Sequence, residues 1–264
     1  MRVVDLDRDM RDVIPTGMTR ESVFLFERMA EASFAPLRAR AGRRVLDLAT
    51  GIGQDAACVA GSGAFVVGLE PSGRMTALAR LAASERPGPQ PHFVRGWGDV
   101  LPFASGSFDA VFCKGSLDHF DKPRQALAEM ARVTAPAGRV VLAIANFESL
   151  ACRVSRAWDE LREVWLAQPL PRGRRLYDVP HDHFTRYELG LMQEQVAEVV
   201  ELERVEGVSL GWGFPGWNRL LERMPEAAAH AALQGLDRLA RVMPWFADVV
   251  VLSGRPRRSA IASA

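Results

Sequence analysis

The sequence has few of the features that most often announce a function. Its 264 residues include only three cysteines, Cys58, Cys113 and Cys152, far apart and without metal-ligand spacing. That odd, sparse set predicts reduced thiols in a cytoplasmic protein rather than a disulfide frame or a zinc site. No uninterrupted apolar run is long enough to cross a bilayer, and the charged start MRVVDLDRDMRDVIP offers no apolar stretch for a signal peptide. Neither sign of charge is in surplus, since 33 basic and 32 acidic residues give a formal net charge of +1. A general grip on nucleic acid needs an excess of Lys and Arg to displace counterions, so no nucleic-acid partner is expected. There is no internal repeat, and no cysteine or histidine cluster implies a catalytic metal.

What the chain does have is the balance of a soluble globular protein, 48% hydrophobic and 25% charged. Its length suits one α/β domain carrying insertions. Apolar positions from Val23 to Phe34 predict an amphipathic helix over 19–35, with Thr19 as N-cap and Pro36 beyond its end. Buried strands are predicted at Arg43 to Ala49, Phe65 to Leu69, His92 to Arg95, Phe108 to Cys113 and Arg139 to Ala145. Helices 54–61, 72–84 and 123–134 fall between them, and Pro136 with Gly138 makes the turn into the fifth strand. Strands alternating with helices imply βαβ units and a parallel sheet with helices on both faces.

After residue 146 the regularity ends. A helical insertion and a basic Pro/Gly-rich loop are predicted over 147–180, and Thr185 with Glu188 forms a T-x-x-E capping box opening a helix over 186–198. A strand near 199–208, a helix across 217–241 and a last strand from Ala247 to Ser253 complete the pattern. The predicted fold is a doubly wound, Rossmann-like, seven-stranded and mostly parallel sheet. Its last strand is antiparallel, with helical insertions after the fifth and sixth strands.

The strongest local signal is Val45-Leu46-Asp47-Leu48-Ala49-Thr50-Gly51-Ile52-Gly53, an apolar strand running into a glycine turn with a helix behind it. In a doubly wound sheet this first turn is the usual ligand contact, and Gly51 and Gly53 would let backbone approach a ligand that any Cβ would repel. A lone GxG is equally a tight strand–helix connection. Glu70 strengthens the ligand reading, because a carboxylate ending the second strand can accept both hydroxyl hydrogens of a ribose. Two cofactor classes stay open on these residues. Gly51-Ile-Gly53-Gln-Asp-Ala56 formally satisfies the NAD fingerprint, whereas Asp47 inside the strand end suits a cationic ligand such as S-adenosylmethionine (SAM).

Over residues 40–145 the chain resembles the class I SAM-dependent methyltransferases, particularly their small-molecule branch. VLDLATGIG resembles their glycine-rich first motif, with Ala49 where many members have glycine, and GLEPS (68–72) resembles the acidic motif ending their second strand. Gly98-Asp99-Val100-Leu101-Pro102-Phe103 resembles the third-strand exit, Ser107 to Val111 the fourth strand, and Leu127 to Gly138 the helix and turn before the fifth. The resemblance implies SAM as cofactor, contacted by Asp47, Ala49, Gly51, Gly53, Gln54, Glu70, Pro71, Ser72, Met75, Asp99, Val100, Lys114 and Gly115. Asp99 would meet the adenine amino group and the Val100 N–H the ring. Lys114-Gly115-Ser116-Leu117-Asp118-His119 stands where base-modifying branches carry Asn/Asp-Pro-Pro-aromatic, which argues against a nucleobase acceptor.

The resemblance also implies a single domain, 1–264, transferring a methyl group to a small-molecule acceptor, with a core at 40–145. Segments 1–39, 146–185 and 210–245 would build the acceptor site. His119, past the fourth strand, is the first candidate for a general base, with His183 and His181 second; each could equally be a histidine bonded to its own loop. Asp118 would contact the acceptor or cap the loop, while Asp109 and Glu129 read as structural. Trp158, Trp165, Trp212, Phe214 and Trp217 are expected mostly to pack the extra helices against the sheet. Arginines 153, 156, 162, 172, 174 and 175 are either an anchor for an acidic acceptor or a solvated face. The Arg-, Ala- and Pro-rich composition suits bacterial specialised metabolism, natural-product biosynthesis included. Assembly as a homodimer is left open, and no metal is expected. Two alternatives stand beside this reading: a non-methylating protein of the same fold, and a NAD-dependent oxidoreductase.

Overall fold

The first strand, β1 (Arg44–Leu48), and its neighbour β4 (Phe108–Lys114) are mostly apolar on both faces, and Val45, Leu46, Leu48, Ala110, Val111 and Phe112 are wholly buried. Strands of that kind belong at the centre of a sheet covered on both faces. The computed structural model, which describes residues 19–167, 175–179 and 183–257, places them there. In chain order the other elements are α1 (Arg20–Phe34), α2 (Gln54–Ala60), β2 (Phe65–Glu70), α3 (Gly73–Ser84), β3 (His92–Arg95), α4 (Pro123–Val133), β5 (Thr134–Ala145), α5 (Leu150–Trp165), α6 (Leu189–Val199), β6 (Val200–Val208), α7 (Trp217–Arg223), α8 (Glu226–Val242) and β7 (Val249–Pro256).

The sheet has seven strands in the order β3-β2-β1-β4-β5-β7-β6. The first five pair in parallel, and β7 runs antiparallel to both β5 and β6. Side chains alternate between faces with period two. Leu46, Leu48, Val111, Cys113, Leu142 and Ile144 pack with Leu127 and Met130 of α4 and Met192 and Val196 of α6. Val45, Ala110, Phe112, Val141 and Ala143 pack on the other face with Leu25 and Met29 of α1 and Val59 of α2. The doubly wound architecture and the antiparallel last strand are as the sequence predicts.

Several boundaries differ from the expected ones, and the last strand runs Val249–Pro256 rather than Ala247 to Ser253. The T-x-x-E motif does not cap a helix. Thr185 N–H donates to the Asp118 carbonyl at 3.3 Å, and α6 starts later, with Glu188 as an N-cap that makes no side-chain cap bond. The helix expected across 217–241 is two helices, because Pro225 disfavours helical backbone at Met224, which is extended (φ −79°, ψ 151°). Strand β5 begins five residues early: Thr134 already pairs with Phe108, and the register slips before Arg139 meets Ala110.

Candidate functional site

In the order β3-β2-β1-β4-β5 the chain winds one way from β1 and then the other, so a crevice opens at the C-terminal ends of β1 and β4. The register carries Leu48 beside Leu69 and Asp47 beside Phe112, which brings the turn after β1, the end of β2 and the exit of β4 to one edge. There Glu70 is buried and bridges two backbone donors. Gly51 N–H donates to one carboxylate oxygen at 3.0 Å and Ser72 N–H to the other at 3.1 Å. Burial raises its carboxyl pKa, and the two N–H groups oppose that. Each oxygen keeps a second lone pair for a ligand hydroxyl. The Ser72 hydroxyl caps α3 by accepting from Met75 N–H at 3.2 Å, next to Pro71, and the Met75 methyl lies near Gly51.

The two glycines turn out to have different jobs. A Cβ on Gly53 (φ +75°) would lie 2.5 Å from the Phe93 ring, so that position is needed by the protein's own packing. A Cβ on Gly51 (φ +55°) would meet only the Met75 methyl at 3.7 Å, which leaves room on its outer side for a ligand. Ala49 adopts φ +60°, the left-handed region where glycine is less strained. Asp47 does not present a charge to the crevice. It is 2% exposed, accepts the Thr50 hydroxyl at 2.6 Å, and its carboxyl is held well above the usual range by burial and then by the charge of Asp55. The ionic pair nearer the surface is Lys114 with Asp55, 2.9 Å apart, beside the exposed Gln54. Gly115 N–H donates to the Ala143 carbonyl, and a Cβ there would press on Met29 of α1 at 3.1 Å.

Beyond β3, Asp99 is buried with Lys122 Nζ 3.9 Å away. Val100 N–H donates to the Trp97 carbonyl at 3.3 Å, so the donor expected for an adenine ring has a local partner in this structure. Glu129 holds this exit in place by accepting from Leu101 N–H at 2.7 Å while paired with Arg132, and Asp109 accepts from Arg44 N–H. Both are structural, as the sequence suggested.

The other end of the crevice gathers residues that the sequence holds apart. Asp118 and His119 lie on a short 3-10 turn, Leu117–His119, just past β4. His183 returns to them from the segment before α6, with its Nδ1 3.0 Å from Asp118 Oδ2 and its ring edge-on to His119, centroids 4.2 Å apart. Phe147, after β5, contacts the His183 ring at 5.8 Å. His181 lies outside the described residues, as do Arg172 and Arg174. Arg153 and Arg156 pair with Glu148, and Arg175 reaches the Tyr177 hydroxyl, so these three serve local structure. Trp212 and Trp217 pack as expected, but Trp158 and Trp165 are 55% and 78% exposed on α5.

Two further acidic residues at this edge carry no sequence signal. Asp248, before β7, accepts from Gly211 and Trp212 N–H, and burial raises its carboxyl to about 7. Glu21, in the first turn of α1, is buried with its carboxyl also raised by burial. Only a polar residue opening an apolar strand, as in Ala247-Asp248-Val249, could have hinted at the first.

A seven-stranded sheet of this order with a crevice at its switch point is the architecture expected of the class I SAM-dependent methyltransferases, which the chain resembles. Residues 46–142 match the family model described as methyltransferase domain. Among curated relatives, the demethylmenaquinone methyltransferases of Renibacterium salmoninarum and Beutenbergia cavernae are 38% and 42% identical, each over 132 residues. Those alignments cover 50% of this chain and 51% and 50% of the relatives, so the chain spans about half the length of the curated relatives it matches. Among solved structures, the [4+2]-cyclase SpnF superposes with a TM-score of 0.58 at 19% identity, covering 87% of this chain and 80% of that one, a likeness of fold alone.

Proposed function

We propose that the protein binds SAM in the crevice above β1, β2 and β4 and transfers its methyl group to a small-molecule acceptor held between that crevice and the Asp118–His119–His183 end. The observation that carries this reading is Glu70, whose carboxylate ends β2 and fixes both the Gly51 turn and the Ser72 cap while keeping lone pairs for a ribose. The open outer side of Gly51 fits the same ligand. When bound, SAM supplies a methyl group already activated on a sulfonium. The chain's share of the work is therefore to align, to exclude water and to accommodate any proton the acceptor loses. Met75 and Gly51 position the cofactor, and Asp118, His119 and His183 are the polar groups at the acceptor end. The relatives' name points to quinone-like acceptors as the first to try, with specialised bacterial metabolites next.

Calorimetric titration with SAM, S-adenosylhomocysteine and NADH in parallel tests the cofactor assignment. Micromolar binding of the first two and none of NADH is expected, and binding of NADH alone would sink it. Glu70→Ala should weaken SAM by about 1.5–3 kcal/mol, roughly 10- to 150-fold, the cost of losing hydrogen bonds to a charged group. Turnover of SAM to S-adenosylhomocysteine with an acceptor present separates methyl transfer from a cyclase-like use of the same fold.

A further inference from the structure

We infer that Asp118, His119 and His183 form a binding site for one divalent transition-metal ion at the acceptor end of the crevice. One ligand atom from each of the three lies within 4.8 Å of the others. The cluster is built by the fold, because Phe184 and Thr185 N–H both donate to the Asp118 carbonyl, at 2.8 and 3.3 Å, and so pin the His183 segment to the turn after β4. The sequence hides it, with 64 residues (183 − 119) separating the two histidines.

A second observation points to an ion rather than a plain Asp–His pair. Asp118 is 3% exposed, and although its Oδ2 faces His183, its Oδ1 is buried with no hydrogen-bond partner among the described residues. A buried carboxylate oxygen left without a partner is destabilising, because it has given up its water and gained nothing in return. An Asp–His pair does not relieve that cost, whereas a cation within reach of all three ligand atoms does. Two imidazoles and one carboxylate suit zinc, iron, cobalt or nickel, while magnesium and calcium favour all-oxygen shells. Three protein ligands leave at least one position open. An oxygen of the acceptor, such as a hydroxyl, phenol or enol, can occupy it, and the cation lowers that group's pKa so that its proton passes to water near neutral pH. This names the acceptor as an oxygen-bearing one and rests on the methyltransferase reading above.

The whole chain, stripped with a chelator, is titrated with Co²⁺ and followed by its visible absorption, then with Zn²⁺ in competition. One equivalent per chain is expected. Asp118→Asn, His119→Ala and His183→Ala should each weaken Co²⁺ at least tenfold, while His92→Ala and His230→Ala bind as the native chain does. Absence of stoichiometric Co²⁺ binding, or unchanged binding in all three site variants, overturns the proposal. A readout on the native chain guards against variants that fail to fold. Saturating Zn²⁺ should protect His119 and His183, but not His92 or His230, from diethyl pyrocarbonate, and equal labelling with and without Zn²⁺ also overturns it. SAM calorimetry on the same metal-free protein separates the two readings, since intact SAM binding without metal binding removes the ion and leaves the methyltransferase assignment standing.

Discussion

The turn after β1 shows how much one residue type can conceal. Gly51 and Gly53 look equivalent in the sequence, and both have positive φ, yet the second is required by Phe93 and the first faces outward. An alanine at either site pays about 1–2 kcal/mol for a left-handed backbone. Gly53→Ala adds overpacking against Phe93, a further cost of roughly 1–3 kcal/mol. The expectation is a clear split. Gly53→Ala should lower the melting temperature more than Gly51→Ala does. Gly51→Ala should lose at least tenfold in SAM affinity by calorimetry while staying folded. Native affinity in Gly51→Ala would mean that this backbone does not touch the cofactor. Asp47 teaches the complementary lesson: its place in the strand was legible, but only the structure shows it shut inside and bonded to Thr50.

At the scale of elements, the pieces that were hardest to read are those joined by side chains far apart in sequence. Asp237 on α8 is buried. Its Oδ2 takes Arg28 of α1 at 3.0 Å and Arg241 at 2.7 Å, and its Oδ1 accepts Ser209 N–H beyond β6 at 3.2 Å. Removing it leaves Arg28 with Glu206 and Glu31 as remaining partners and the Ser209 N–H without its acceptor, a cost of about 1–3 kcal/mol. Chemical denaturation of Asp237→Ala should show a loss of that size, and a loss under 1 kcal/mol would show that water replaces the pair. Nothing in the periodicity of α8 marks Asp237. The central strands were legible because apolar runs between Gly and Pro breaks demand burial on both sides. The start of α6 departs from its local capping pattern because a tertiary bond from Thr185 to Asp118 overrides it. The two-helix break at Pro225 was present in the sequence and needed only the rule that proline disfavours helix before it.

For the whole molecule, the acidic groups divide by location. Asp109, Glu129 and Glu148 are held below their usual values by hydrogen bonds and ion pairs that outweigh their desolvation. Asp47, Glu70, Glu21 and Asp248 are raised by burial, and all four lie at the C-terminal edge of the sheet, where the crevice is. Desolvated carboxyls concentrated at one edge cost stability, and their concentration there supports the proposed binding site. Asp248 is where this edge closes: its carboxyl takes Trp212 N–H, and the Trp212 indole donates to Ser22 of α1 at 3.1 Å. Raised to about 7 from an unfolded value near 4, it binds its proton more tightly folded than unfolded. Its stabilising share is full below about pH 4 and is lost as pH rises through about 7. The groups with lowered values act in the opposite sense, but below about pH 4.5, so the interval from pH 5 to 8 isolates the raised set. Asp248→Asn keeps the shape without a charge to bury, its single amide oxygen accepting one of the two N–H groups and giving up the other. Its denaturation free energy should therefore fall less between pH 5 and pH 8 than that of the native chain, by about 1–3 kcal/mol. Parallel curves for the two proteins would mean that Asp248 titrates near its ordinary value and that this edge is wetter than its packing implies.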